Sequence, residues 1–369
     1  MSFKIMCVAG ARPNFMKIGP IMKALKKDPS FFEPVLVHTG QHYDYKMSQI
    51  FFDELQIDPP AIFLNVGSGS HADQTARIMT TFEKVVLEQH PDLVLVVGDV
   101  NSTAACAMVA KKCHIKLAHV EAGLRSFDRD MPEEINRLVT DSISDILYTT
   151  SRDADEQLLK EGHQEKEIAF VGNCMIDTLL SLQPQVDQST IREKLNAQAG
   201  KYTLMTLHRP SNVDDPKVLG DILDALSYLD EHMPIICPLH PRTRKNIKEF
   251  GYQYRFESMR QFMDIEPLGY LDFVNLMKNA AMVITDSGGL QEESTVLGIP
   301  CLTLRENTER PVTITEGTNY LVGVQKENII ESIQTVLEGR AKKGTIPEYW
   351  DGKAADRIAI HLKNYFSGT

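Results

Sequence analysis

The sequence predicts an α/β protein of two domains, each a parallel sheet with helices on both faces. Three observations predict it. Short apolar runs alternate with helical stretches along 369 residues, the pattern of parallel strands joined by crossover helices. The alternation restarts near residue 200, after the most polar inter-strand stretch, QPQVDQSTIREKLNAQAG. A chain of this length, 43% hydrophobic, can fill two separate cores. A first domain is placed at 1–182 and a second at 195–354, with the joint around 182–200 and a C-terminal helix, 355–369, assigned to the first. Ligands of open α/β sheets sit at the carboxyl ends of strands. Two such domains facing one another predict an interdomain active-site cleft.

In chain order, FKIMCVA is a strand and GARPNF turns into a helix near 15–27. A second strand covers 34–38 and a short one 61–64. GSGSHADQTARIMTTFEKVVLEQ is a loop and an amphipathic helix. LVLVV is a strongly apolar strand, GDVNST its C-terminal turn, and AACAMVAKK a small-residue helix. Residues 117–120 form a strand that ends in Glu121. INRLVTDSISD is helical, ILYTT a strand, SRDADEQLLKEG a helix, and 168–171 a strand leading into GNCMIDTLLSL. After the restart come KYTLMTLHRPSNV as strand and turn, DPKVLGDILDALSYLDE as helix, PIICPLHPRT as strand and turn, and MDIEPLGYLDFVNLMKNA as strand, turn and helix. Residues 299–304 are a strand, 328–337 a helix, and IAIHLKNYF the last helix.

The stretch VITDSGGLQEESTVLGIP is the most informative. An apolar strand meets Asp286-Ser287-Gly288-Gly289 and then a helix. Ser287 is placed to cap that helix, and the glycines let a ligand approach the backbone. Free N–H groups at a helix start suit phosphate or pyrophosphate. Glu293, within two turns, is in reach of a sugar hydroxyl beside it. An ordinary capped helix would carry the same residues.

Composition excludes several classes. Net charge is −11 and the pI about 5.5. With no basic block, a nucleic-acid partner is disfavoured. No apolar run is long enough to span a membrane, and the N-terminus lacks a signal-peptide pattern. The six cysteines are scattered, with no CxxC and no zinc spacing. Buried free thiols in a reducing cytoplasm are expected.

The remaining polar signals fall just after strands. Arg12 and Lys17 follow the first, in a sequence that is neither GxGxxG nor a P-loop. Asp99 follows LVLVV and reads as a helix cap or an active-site acid. Glu121 continues AHV directly, where an acid is costly unless paired or at a cleft. Glu133 and Glu134 open a helix, where acids favour the N-terminus in any case. Acids after consecutive elements suit general acid/base work. His208-Arg209 and His240 end strands of the second domain. Arg310, after IPCLTL, suits a diphosphate or a sugar-bound group.

Together the motifs GARPNFMKIGP, TGQHYDYKM, GDVNST, HVEAGLRS, MPEEINR, TLHRP, TDSGGLQEE and NTERPVTITEGTN resemble the non-hydrolysing UDP-N-acetylglucosamine 2-epimerases. They run from residue 10 to about 319 in the family's order. The resemblance implies two Rossmann-like domains of the glycosyltransferase-B type. It implies interconversion of UDP-GlcNAc and UDP-ManNAc in a cytoplasmic homodimer that serves cell-surface polysaccharide synthesis, without metal or other cofactor. The implied chemistry removes the C2 proton as UDP leaves C1, then re-adds UDP to a trapped 2-acetamidoglucal. Residue by residue, Asp99, Glu121, Glu133 and His208 would be catalytic. Arg12 and Lys17 would contact the phosphate and sugar region. Ser287, Gly288 and Gly289 would hold the diphosphate, Glu293 the ribose, Arg310 the sugar or phosphate end, and Phe273 would stack near uracil. Gln41, Gln74, Arg209 and His240 match parts of an activator pocket known in some members. The chain departs from the family at Pro210-Ser211-Asn212, where many members carry Glu-Asn, at Leu268, and at Asp44 and Asp73.

TGQHYD and GSGSH also resemble 2-epimerases acting on UDP-2,3-diacetamido-glucuronate, and the hydrolysing relatives share the fold. A glycosyltransferase would need an acceptor surface, and a non-catalytic UDP-sugar sensor would not need Asp99, Glu121, Glu133 and His208 together.

Overall fold

The computed structural model describes residues 2–40, 52 and 54–368. It divides into one unit of Met1–Ser181 with Glu348–Thr369 and a second of Leu182–Pro347.

The first unit's described strands are β1 (Phe3–Ala9), β2 (Phe32–His38), β3 (Ile62–Phe63), β4 (Leu93–Val97), β5 (Lys116–Ala122), β6 (Ile146–Thr149) and β7 (Ile168–Phe170). They form one parallel sheet in the order β3-β2-β1-β4-β5-β6-β7. Its helices are α1 (Arg12–Leu25), α2 (His71–Gln89), α3 (Asn101–Lys112), α4 (Pro132–Ile143), α5 (Arg152–Lys160) and α6 (Cys174–Ser181). All five β4 residues are buried, as a strand covered on both faces requires. Ala104, Ala105, Cys106 and Ala107 of α3 are buried too, so small side chains set that helix close to the sheet. Helix α1 begins at Arg12, three residues before the expected start, with Pro13 in its first turn. Proline's fixed φ suits that position, and its missing N–H would have no intrahelical partner there.

The second unit repeats the plan. Its strands are β8 (Thr203–Thr206), β9 (Ile235–Pro238), β10 (Phe262–Ile265), β11 (Met282–Thr285), β12 (Cys301–Thr303) and β13 (Asn319–Leu321). They lie parallel in the order β10-β9-β8-β11-β12-β13. Its longer helices are α7 (Pro216–Asp230), α8 (Pro241–Glu249), α9 (Tyr270–Lys278), α10 (Gly288–Leu297) and α11 (Lys326–Leu337). A core of Leu219, Ile222, Leu226, Ile235, Ile284, Leu302 and Ile333 fills the space between helices and sheet. In both sheets the order reverses beside the first strand, at β1/β4 and β8/β11. Such switch points are where open α/β sheets bind ligands. Among the described residues no helix is long and apolar enough to cross a membrane. Five cysteines are buried and Cys113 is half-buried, all as free thiols.

The chain returns to the first unit at Glu348, before the expected boundary at 355. The reason lies in three contacts. The buried Trp350 donates its indole N–H to the Thr150 carbonyl at 2.9 Å. Tyr349 crosses Gly172 so closely that a Cβ there would lie 2.1 Å from the Tyr349 carbonyl oxygen. The last helix, α12 (Ala354–Ser367), starts on Asp177, whose carboxylate accepts the Ala354 and Ala355 N–H groups at 3.1 and 2.7 Å.

Burial pushes the Asp177 carboxyl up to about 6, against those two N–H groups, with Asp351 adding repulsion. A folded value above the unfolded one gives stability that is complete below the unfolded pKa and is lost as pH rises through 6. Asp177→Asn carries no charge to lose. From pH 5 to pH 8 its stability relative to the native chain should therefore rise by about 1.4 kcal/mol. Urea unfolding at both pH values checks this, and a gap that does not change with pH would refute it.

Candidate active site

In the first unit the site begins with Asn14. Its side-chain oxygen accepts the Gly10 and Ala11 N–H groups at 3.0 and 2.9 Å, and its amide donates to the Val97 carbonyl at 3.3 Å. That ties the turn after β1 to the end of β4. Arg12 lies exposed in the first turn of α1. Lys17, just over one turn further, is 6% exposed and forms an ion pair with Glu121.

Glu121 lies within β5, where the pairing with β6 shifts register between Val120 and Ala122. Its φ is +72°, a left-handed conformation that costs a non-glycine residue about 1–3 kcal/mol. The residue is 5% exposed. Burying a carboxylate there is sustained by Lys17. The end of β4 borders the pair: a Cβ built on Gly98 would lie 3.3 Å from Lys17 Nζ and 3.4 Å from Glu121 Oε2.

Asp99 is not the cap of α3, since Val100 holds that position. Its carboxylate accepts from Arg137 at 2.6 Å, and its carbonyl accepts from the Asn136 amide at 2.9 Å. Arg137 also reaches Glu134 at 2.7 Å. The two acids that open α4 therefore differ. Glu134 is buried and accepts from Ser126 and Phe127 of the preceding loop. Glu133 is half-buried, with no hydrogen bond to a described side chain holding its carboxylate.

In the second unit the centre is Asp286, at the end of β11 and 0% exposed. One oxygen accepts the His208 and Arg209 backbone N–H groups at 2.8 and 2.7 Å. The other lies 2.8 Å from His208 Nδ1. Burial opposes ionisation, but the His208 imidazole and the backbone donors hold the carboxyl below its usual range. The His208 side chain is 45% exposed, with Nδ1 beside Asp286. Arg209 Nε donates to the Asp286 carbonyl at 2.8 Å. Asn212, the departure from the family pattern, is buried and donates to Asp286 at 3.4 Å and to the Leu304 carbonyl at 2.9 Å. His240 starts α8, its ring 6.2 Å from that of His208. Burial, then repulsion from His208, holds it below its usual range.

Helix α10 follows Asp286. Ser287 is its N-cap, but its side chain does not cap the helix. Its backbone N–H donates to Thr285 Oγ1 at 3.0 Å. Gly288 and Gly289 are the first helical residues. A Cβ on Gly288 would lie 2.9 Å from Glu309 Oε1 and 3.2 Å from Arg310 Nη1. The expected phosphate-gripping Arg310 is thus packed beneath Gly288. It is 7% exposed, with Nε on Glu292 at 2.7 Å and Nη1 on Glu309 at 2.7 Å. Two carboxylates claim its charge, and it supports the helix start.

Glu293 is 3% exposed and accepts from Tyr270 at 2.8 Å. Burial, with Glu292 adding repulsion, pushes its carboxyl up to about 7. Phe273 is half-buried on α9, the helix that carries Tyr270.

Of the expected activator-pocket residues, Gln74 is buried in the first unit and accepts from Asn101 at 2.8 Å. Arg209 and His240 belong to the second unit, and Gln41 lies outside the described residues. Asp286, Arg137 and Tyr270 were absent from the sequence-derived set. Asp286 was accessible by the reasoning that picked out Glu121, an acid directly at a strand end. Arg137 and Tyr270 carried no signal beyond helical position.

The pattern of the UDP-N-acetylglucosamine 2-epimerase family matches residues 23–363. The chain is similar to the UDP-N-acetylglucosamine 2-epimerase of Methanocaldococcus jannaschii, at 43% identity over 360 residues, 96% of this chain and 97% of that protein. It is 41% identical over 362 residues to the UDP-2,3-diacetamido-2,3-dideoxy-D-glucuronate 2-epimerase of Pseudomonas aeruginosa, covering 97% and 99% of the two. The crystal structure of the Methanocaldococcus jannaschii UDP-GlcNAc 2-epimerase in complex with UDP-GlcNAc and UDP matches with a TM-score of 0.89 and 42% identity, over 98% of this chain and all of that one. The chain belongs to the UDP-N-acetylglucosamine 2-epimerase family.

Proposed function

We propose that this chain interconverts UDP-GlcNAc and UDP-ManNAc by inverting sugar C2. The observation that carries the reading is the buried Lys17–Glu121 pair at the end of β5, in a chain 43% identical to a protein named for this reaction. A base takes the C2 proton, the C1–oxygen bond to UDP breaks, and the electron pair of the C2–H bond becomes the C1–C2 double bond of 2-acetamidoglucal. Return of a proton to the opposite face of C2, with UDP oxygen rebinding C1, completes the inversion. Glu121, Asp99 and Glu133 form the acid/base set, with Lys17 paired to Glu121 in a buried place. His208, oriented by Asp286, serves the departing diphosphate. Arg12 contacts phosphate. The Ser287 hydroxyl and the N–H groups of Gly288 and Gly289 suit a diphosphate, Glu293 takes the ribose hydroxyls, and Phe273 lies against uracil. The same reading makes the working form a cytoplasmic homodimer.

A second reading has a specific observation in its favour, the 41% identity to the diacetamido-glucuronate enzyme. Proton NMR in deuterated water, with no acceptor or metal added, separates the two. UDP-GlcNAc should yield UDP-ManNAc deuterated at C2. Release of free ManNAc would make the chain a hydrolase. Turnover of the diacetamido-uronate alone would establish the second reading.

Glu121→Gln should lower kcat by about 10²–10⁴, as loss of a general base does, and leave UDP affinity near native. Unchanged turnover in the NMR assay would remove Glu121 from the mechanism.

Glu293 gives a pH dependence. The carboxylate accepts two hydroxyls better than the acid does, and it prevails above about 7. The diphosphate diester of UDP-GlcNAc does not titrate near neutrality. Affinity for UDP-GlcNAc should therefore fall up to about tenfold per pH unit below 7. Calorimetric titrations from pH 5.5 to 8.5 should show this slope in the native chain and lose it in Glu293→Gln. An equal slope in both would assign it elsewhere.

A further inference from the structure

We propose that Asp141 is a positioning residue that clamps the left-handed bulge carrying Glu121; this rests on the role given to Glu121 above. Asp141 lies on α4, 0% exposed, and does not touch Glu121. It binds the chain on both sides of it. One oxygen meets His119 Nδ1 at 2.6 Å, two residues before Glu121. The other accepts the Gly123 N–H at 3.0 Å, two residues after it. Arg125 approaches that second oxygen at 2.7 Å and holds Glu161 at 2.6 Å.

His119 extends the clamp across the sheet. Its Nε2 lies 2.8 Å from the Gly98 carbonyl, and the Gly98 N–H donates to the Val120 carbonyl at 3.0 Å. Residues 119, 120 and 123 are thus each tied down, and 121 is left to absorb the register shift. An unfavourable φ persists only where the surroundings over-determine it. Among the described residues, Asp141 is the side chain whose carboxylate meets both flanks. The contacts of His119 and Gly123 with Asp141, and of His119 with Gly98, are buried, and a satisfied buried polar network favours one geometry.

Its effect would be on turnover rather than binding. A carboxylate displaced by about 1 Å from its reacting atom can lose about 10²-fold in rate. Asp141→Asn keeps the volume and removes the charge that holds His119 and Arg125. With UDP-GlcNAc, kcat should fall at least about 50-fold, with KM within about threefold of native. In a Glu121→Gln background, C2 deuterium exchange should fall by less than about threefold further, because the two substitutions act through one group. Native kcat in Asp141→Asn, or equal losses in both backgrounds, overturns the proposal. If that variant does not fold, His119→Gln decides: it spares the Asp141–Gly123 contact and should lower kcat at unchanged KM, and an unaltered kcat overturns the clamp. The crystal structure of the folded variant gives a readout independent of substrate. Glu121 should leave positive φ and separate from Lys17; a Glu121 still left-handed on Lys17 overturns the clamp. A native chain inert on UDP-GlcNAc would instead sink the proposed reaction and leave this structural outcome to judge the clamp.

Discussion

Lys17 and Glu121 are two charges placed where a parallel sheet would bury apolar side chains. Each is sustained by the other, and removing one partner of such a pair typically costs about 3–5 kcal/mol. This pair fixes the layout of the first unit. Helix α1 must run so that its second turn passes the end of β5. The turn after β1 must be tight, which Asn14 secures by holding Gly10 and Ala11. The end of β4 must stay small beside the pair, and Gly98 occupies it. Strand β5 must break register to bring the carboxylate around.

The second unit meets the same constraint with different residues. Asp286 is buried at the end of β11, and backbone N–H groups from the neighbouring β8 end share its charge. Its remaining oxygen is then available for a histidine. Two sheets of the same order thus place one buried acid each near their switch points. The first keeps its acid on an ammonium, and the second uses its acid to aim an imidazole. Asp286 and Glu121 are comparably inaccessible, and Asp286 is held by backbone donors that do not move with a side chain.

Much of this was legible in the sequence. The α/β class and the restart near residue 200 followed from apolar runs such as LVLVV and MVIT, whose five- and four-residue strands are fully buried. Glu121 stood out as a candidate acid because an acid continuing a strand is expensive. Other parts left no such mark. Strand β13 is three residues long, too short for a period. The start of helix α8, PRT, was read as a turn and the rest left unassigned, because its polarity hides an inner face where Thr243, Asn246 and Ile247 are buried. Ser287 has the residue type of a cap and the cap position, without the side-chain bond. The destination of Arg310 depended on Glu292 and Glu309 being buried beside it, a tertiary fact. The return at Glu348 turned on one aromatic residue finding the Thr150 carbonyl.

That return has a consequence for how the chain is made. The first unit is discontinuous: the whole of Leu182–Pro347 is synthesised before its last segment, Glu348–Thr369. Domains generally fold as units while the chain emerges. The unit that starts first therefore finishes last, with α1, α6 and the Thr150 edge waiting uncovered for α12. The chain's single tryptophan, Trp350, sits at that seam. Its fluorescence is a built-in signal of the closing step.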